Sequence, residues 1–113
     1  MRRGEIWQVN LDPTIGSEIR KLRPAVIVSR DSIGILPLKI VVPITGWREE
    51  FAKAPWLVPL DRNPKIGLVK KSAADCFQVR SVSDQRLVKK IGELAEDQMR
   101  QIESALTLTL HLD

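Results

Sequence analysis

The 113 residues hold a single cysteine, a single histidine and no tyrosine, and aromatic side chains make up 4% of the chain. One thiol closes no internal disulfide, and one Cys with one His far from it in sequence forms no recognisable zinc-ligand cluster. Long apolar runs are also missing. The most apolar window, 33–44, is interrupted by Gly34, Pro37, Lys39 and Pro43 and falls short of the roughly 20 residues a spanning helix needs. Gly4, Glu5 and Ile6 follow Met1-Arg2-Arg3 where a secretory signal would continue with an apolar stretch. There is no Gly-rich phosphate loop, no His-Glu-x-x-His and no nucleophile elbow. We therefore expect a cytoplasmic chain with no membrane partner, no metal and no cofactor, whose chemistry runs on Arg, Thr, Ser, Glu or Lys.

Hydrophobic residues make up 43% and charged residues 28%. A fold of this length hides roughly two-thirds of the surface its unfolded chain exposes, enough for one core, so we expect a single domain over 1–113. The formal charge is +4 and the sequence pI is near 9.6, a balance that permits a polyanionic partner. All of the excess falls early: eight basic residues against four acids through Arg48, and parity beyond it.

Turn signals recur at short intervals through the first four-fifths of the chain, a β pattern. Strand-like runs are 5–11, the β-branched run 25–28 entered at Pro24, and 39–45, in which Pro43 implies an edge position or a bulge. The charged stretch 47–55 reads as a long loop. Four further runs, 56–60, 66–69, 74–82 and 87–91, are strand candidates, and Ser83 is a candidate N-cap for a single helical turn over 83–86. Then the period changes. Leu94, Met99, Ile102, Leu106 and Leu110 put an apolar stripe on one side of a C-terminal helix, although Ala95 is a poor cap. The alternating tail 108–112 either leaves that helix or packs at an interface. Short strands around a small core plus one helix predict a small antiparallel barrel.

The segment 16–24 concentrates chemistry: Ser17, Glu18, Arg20, Lys21 and Arg23 sit in a loop that ends at the rigid entrance Pro24. Pro24 biases Arg23 toward an extended backbone, so its guanidinium projects from a defined point. A planar five-donor cation suits a phosphate and, more so, a pentacoordinate phosphoryl transition state; the bland reading is a surface ion pair with Glu18. Thr45, at a strand end, offers a hydroxyl to a phosphate oxygen or simply caps a turn. Cys76 reads as a buried thiol, and His111, flanked by leucines, as a packing or surface histidine.

Taken in order, Gly4-Glu5-Ile6-Trp7, Leu11-Asp12-Pro13, Gly16-Ser17-Glu18, Arg23-Pro24-Ala25-Val26, Val42-Pro43-Ile44-Thr45, Gly67-Leu68, Gln78-Val79-Arg80 and Ile91-Gly92-Glu93-Leu94 resemble the MazF/PemK toxin endoribonucleases. The resemblance spans nearly the whole chain. It implies an SH3-like barrel with a C-terminal helix, a homodimer, and metal-independent cleavage of single-stranded RNA to 2′,3′-cyclic phosphate and 5′-hydroxyl ends. By motif position Arg23 and Thr45 match the principal catalytic pair, and Ser17 and Glu18 match neighbours that organise the site. Glu18 is the expected proton acceptor, provided burial raises its basicity, because a guanidinium is a poor base. Arg20, Lys21 and Arg48 are expected on phosphates, Gln78 and Arg80 as further RNA contacts, and Trp47 as a stacking platform, while Trp7 and Trp56 are expected in the core. The resemblance further implies a cognate MazE-like antitoxin with an acidic tail, and operator DNA met only through it.

Two other readings stand beside this one. A CcdB-like gyrase-directed toxin shares the fold superfamily, but the ending Leu110-His111-Leu112-Asp113 lacks the Trp-x-Ile tail associated with that group. A noncatalytic SH3-like binding module would not require Arg23 and Thr45 together.

Overall fold

Among the described residues seven strands and one α-helix form: β1 (Glu5–Asn10), β2 (Leu22–Ile27), β3 (Leu38–Gly46), β4 (Leu57–Leu60), β5 (Ser72–Asp75), β6 (Arg80–Ser83), β7 (Leu87–Glu93) and α1 (Glu96–Leu110). The computed structural model describes residues 1–34 and 36–113; Ile35, inside the apolar window noted above, lies outside them. Every strand pairing is antiparallel. The sheet runs β4-β5-β3-β2-β1-β7, with β6 also on β3.

The expected mainly-β fold with a C-terminal helix is what forms, but the ladder does not close into a cylinder. Among the described residues β4 and β7 end the path and do not pair with each other. The 3₁₀ turn Pro64–Ile66, next after β4, bridges the gap by packing instead. A Cβ added at Gly92 of β7 would lie 2.5 Å from Ile66 Cα, so the glycine is what lets the two backbones meet.

Ala25, Val26 and Ile27 are all buried because β2 is covered on both faces, which is why this run is continuously apolar rather than alternating. Val26 joins Ile6, Val42 and Ile44 under Met99 and Ile102 of α1. Ala25 and Ile27 join Val9, Val41, Val82 and Leu87 on the opposite face. β3 is central rather than an edge: it pairs with β2 through Pro43 and changes partner on its other side from β6, ending at Val41, to β5, starting at Ile44. Pro43 lies at that changeover, where no ladder runs on the side away from β2 and a missing N–H costs least.

Several local expectations need correction. The run 66–69 is no strand; Pro64 starts a 3₁₀ turn, Gly67 adopts φ 82°, and only Leu68 bridges, to Asn63. The run 74–82 breaks at a 3₁₀ turn, Cys76–Gln78, capped by the Asp75 carboxylate accepting from the Phe77 N–H at 3.1 Å. Trp56 precedes β4 and is exposed, not core; Trp7 is half-buried. The loop 47–55 carries a 3₁₀ helix, Glu49–Lys53. Ser83 does cap its helical turn, accepting from the Gln85 N–H at 3.2 Å.

In α1 the buried positions are Met99, Ile102 and Ala105, while Leu110 is exposed. Ala95 has no side-chain acceptor, and Gln98 compensates by accepting the Ala95 N–H at 2.8 Å. The tail stays with the helix: His111 turns left-handed at φ 56° and the Leu112 N–H donates to the Thr107 carbonyl at 2.9 Å, satisfying a terminal acceptor.

Candidate active site

The loop between β1 and β2 is shaped by its own polar groups. Asp12 accepts from the Lys21 N–H at 3.1 Å, and Leu11 N–H donates to the Lys21 carbonyl at 3.0 Å. Lys21 adopts φ 69° to make this closure. Glu18 and Ile15 form a reciprocal pair: the Ile15 N–H donates to Glu18 Oε1 at 2.6 Å and the Glu18 N–H to the Ile15 carbonyl at 3.2 Å. Gln78 staples the loop to the Cys76–Gln78 turn, accepting from the Ile19 N–H at 2.5 Å and donating to the Ser17 carbonyl at 3.2 Å. Arg80 donates to the Leu11 carbonyl at 3.2 Å, and Arg86 to the carbonyls of Asn10 and Asp12.

Arg23 and Thr45 meet through sheet register. β2 and β3 are paired at Ala25 and Pro43, and the same register continued outward sets Arg23 across from Thr45. Both line a cleft of about 100 Å³ whose other polar walls are Lys70 and Ser72. Arg23 is exposed, and its Nε donates to the Arg20 carbonyl at 3.3 Å, which fixes the guanidinium plane. Ser17, Glu18, Gln78 and Arg80 gather in a second, larger cleft of about 510 Å³ with Phe77 on its wall. The clefts adjoin along β3, where Pro43 lines the larger one and Thr45 the smaller. Among the described residues Glu18 is the only acid lining either cleft.

Some expected site residues stand apart. Arg20 and Lys21 are exposed on the loop, and Arg48, exposed, lies 3.9 Å from Glu50. Trp47 is half-buried, with the Lys71 ammonium 4.5 Å over its ring and Phe51 edge-on at 5.9 Å, so one face is already occupied. Its indole N–H is buried without a partner among the described residues. Glu18 is exposed, so the burial its base role called for is absent in the free chain. Cys76 is fully buried, and burial pushes its thiol up to about 12, with the Asp75 charge adding to the effect. His111 serves as the C-cap of α1.

Two residues of interest escaped the sequence reading. Phe77, 68% exposed, stands edge-on to Trp56 at 6.0 Å on the rim of the larger cleft. An aromatic after a capping Asp is the only sequence signal for it. Lys70 lines the smaller cleft beside Arg23 and Thr45, and nothing in its local sequence distinguishes it from the adjacent Lys71.

The fold defines the class first. MazF from Deinococcus radiodurans matches with a TM-score of 0.79 over 98% of this chain and 96% of that one, at 22% identity. An endoribonuclease from a mycobacterial species, solved with its cognate antitoxin, matches with a TM-score of 0.77 over 100% of this chain and 97% of that one, at 20% identity. Those likenesses concern the fold; sequence goes further. Endoribonuclease MazF9 of Mycobacterium tuberculosis is 40% identical over 120 aligned positions that span the whole of this chain and 97% of the relative. A family model described as the PemK-like, MazF-like toxin of type II toxin-antitoxin systems matches residues 2–110, and the chain belongs to that family.

Proposed function

We propose that this MazF-type toxin is an endoribonuclease that cuts single-stranded mRNA at short sequence motifs and thereby arrests translation and growth. The attacking group is the substrate's own ribose 2′-hydroxyl, no metal takes part, and the products carry 2′,3′-cyclic phosphate and 5′-hydroxyl ends. The observation that carries this reading is the convergence of Arg23 and Thr45 on one small cleft with no acid in its lining among the described residues. There the guanidinium donates to phosphoryl oxygens as charge builds in the phosphorane, and the Thr45 hydroxyl adds a further donor. The chain then has no need of a nucleophile of its own.

Glu18, the only acid on either cleft among the described residues, is the proposed acceptor of the 2′-hydroxyl proton. RNA laid over the loop withdraws water from its carboxylate and supplies the desolvation that the free chain lacks. Ser17 and Gln78 hold the loop in shape. Arg20, Lys21 and Arg48 take phosphates, Arg80 flanks the larger cleft, and bases stack on the exposed Phe77 and on the face of Trp47 that Lys71 leaves free. A cognate antitoxin with an acidic tail neutralises the toxin by covering this basic surface; the mycobacterial complex supports such a partner. The active form is a cytoplasmic homodimer, and operator DNA is met only through the antitoxin.

The test is incubation of the purified chain with a long single-stranded RNA in EDTA, followed by analysis of the ends. Wild type should cut and leave cyclic phosphate, and Arg23→Ala should cut about 10²- to 10³-fold more slowly. Cleavage that needs added metal, or that survives the substitution undiminished, would overturn the mechanism.

A further inference from the structure

Lys70 sits between Leu68, which bridges to Asn63, and the start of β5. Its backbone is fixed by Ser72, whose hydroxyl donates to the Lys70 carbonyl at 3.0 Å. The side chain lies over Gly46, the residue after Thr45: a Cβ added there would be 3.2 Å from Lys70 Nζ and 3.3 Å from Cε. That glycine leaves room for the ammonium against the β3 backbone in the cleft that Lys70 and Thr45 both line. Lys71 is committed elsewhere, over the Trp47 ring. Among the described residues Lys70 makes no ion pair, and no acid lines the cleft it shares with Arg23. Two cations lining one such cleft repel each other until an anion fills it.

An anion alone does not explain why one of the two is a lysine. The proposed reaction expels a ribose 5′-oxygen, and an alkoxide leaves poorly unless it is protonated as the bond breaks. A guanidinium holds its protons too tightly to serve, whereas a lysine ammonium releases one far more readily. We propose that Lys70 is the general acid of this toxin, a role that rests on the endoribonuclease reading above. The 2′-oxygen forms its bond to phosphorus while the bond from phosphorus to the 5′-oxygen breaks. The electron pair leaving with the 5′-oxygen takes a proton from Lys70 Nζ and yields the 5′-hydroxyl. The 2′-hydroxyl proton passes to Glu18 in the adjoining cleft, and proton exchange with water restores both side chains, so no co-reactant is consumed.

The experiment compares two RNA oligonucleotides of one sequence containing a single cleaved bond. One carries the natural bridging 5′-oxygen; the other carries sulfur at that atom, which leaves as a thiolate without needing a proton. Lys70→Arg keeps the positive charge but gives up the easily donated proton, and Lys70→Met gives up both. Both variants should cut the oxygen ester about 10²-fold or more slowly than wild type; on the sulfur ester Lys70→Arg should come within a few-fold of wild type, whereas Lys70→Met, which also removes a cation, should recover only in part. Arg23→Ala should remain slow on both, because it removes charge stabilisation rather than a proton. Equal loss on both esters by the Lys70 variants, or full activity of Lys70→Arg on the oxygen ester, would overturn the role of Lys70 and leave the endoribonuclease reading standing. A wild type that produces no cyclic phosphate from either oligonucleotide would overturn both.

Discussion

Glu5 places a carboxylate where only 6% of the residue is exposed, a position that burial alone would make costly for the ionised form. Three donors reverse that penalty. The Trp7 indole N–H and the Arg2 backbone N–H each reach Oε1 at 2.9 Å, and the Lys90 ammonium reaches Oε2 at 3.1 Å. Burial pushes the carboxyl up, but these contacts outweigh it and hold it at about 2, below its usual 4.5. Because the folded value is the lower one, the ionised contacts stabilise the protein above pH 4.5, and that stability drains away as pH falls toward about 2. Glu5→Gln should therefore cost about 2–3 kcal/mol at neutral pH, with the gap from wild type closing in acid. Urea midpoints measured across that range check it, and a gap independent of pH would contradict the assignment. None of this is legible locally: residues 5–11 show only strand alternation, and Lys90 comes from a strand far along the chain. Arg23 and Thr45 could be singled out as candidates because each stands in a short motif with its own backbone constraint, and the fold brings both to one cleft. Lys70 could not be, because its place in that cleft depends on Gly46, a glycine of β3 far from it in sequence.

Elements were readable from sequence where burial is two-sided or strictly periodic, as in β2 and α1. They were misread where a turn interrupts an apolar run. Ile66 and Leu68 look like strand residues, yet Pro64 and the left-handed Gly67 turn the chain there so that Ile66 meets β7. That contact is how the two ends of the sheet are joined without a ladder, and it makes Gly92 the most closely approached glycine among the described residues. A methyl group on Gly92 would fall 2.5 Å from Ile66 Cα and 2.7 Å from its carbonyl oxygen, both backbone atoms that cannot step aside. Gly46 offers the contrast, since its nearest neighbour is the movable end of Lys70 at 3.2 Å. Gly92→Ala should cost about 2–3 kcal/mol or more, and Gly46→Ala less than about 1 kcal/mol. Thermal melts of the two variants decide this; equal melting temperatures would mean that β7 and the Pro64–Ile66 turn part easily.

For the whole molecule, the unfinished business is apolar surface. The net charge of +4 is carried by the residues through Arg48, several of them around the clefts, and this accounts for a basic face. It leaves unexplained why Ile33, Leu36, Leu38 and Ile40 are all more than a third exposed within one short stretch. Leu38 and Ile40 share a face of β3 with Val42 and Ile44, by the two-residue period of a strand. The latter pair is buried beneath α1, whereas the former has no such cover in a single chain. A second copy of the chain is the proposed cover, since a self-complementary patch of leucine and isoleucine gains most by meeting its twin. Light scattering should then give twice the 12.8 kDa chain mass. The double change Leu38→Glu with Ile40→Glu should bring the mass down to one chain while circular dichroism still reports the native fold, since both positions are exposed in the monomer. A competing patch exists at the end of α1, where Leu108, Leu110 and Leu112 are exposed. If the Leu38 and Ile40 variant stays dimeric while Leu110→Glu yields monomers, the helix end is the interface instead, and the exposed face of β3 must serve some other contact.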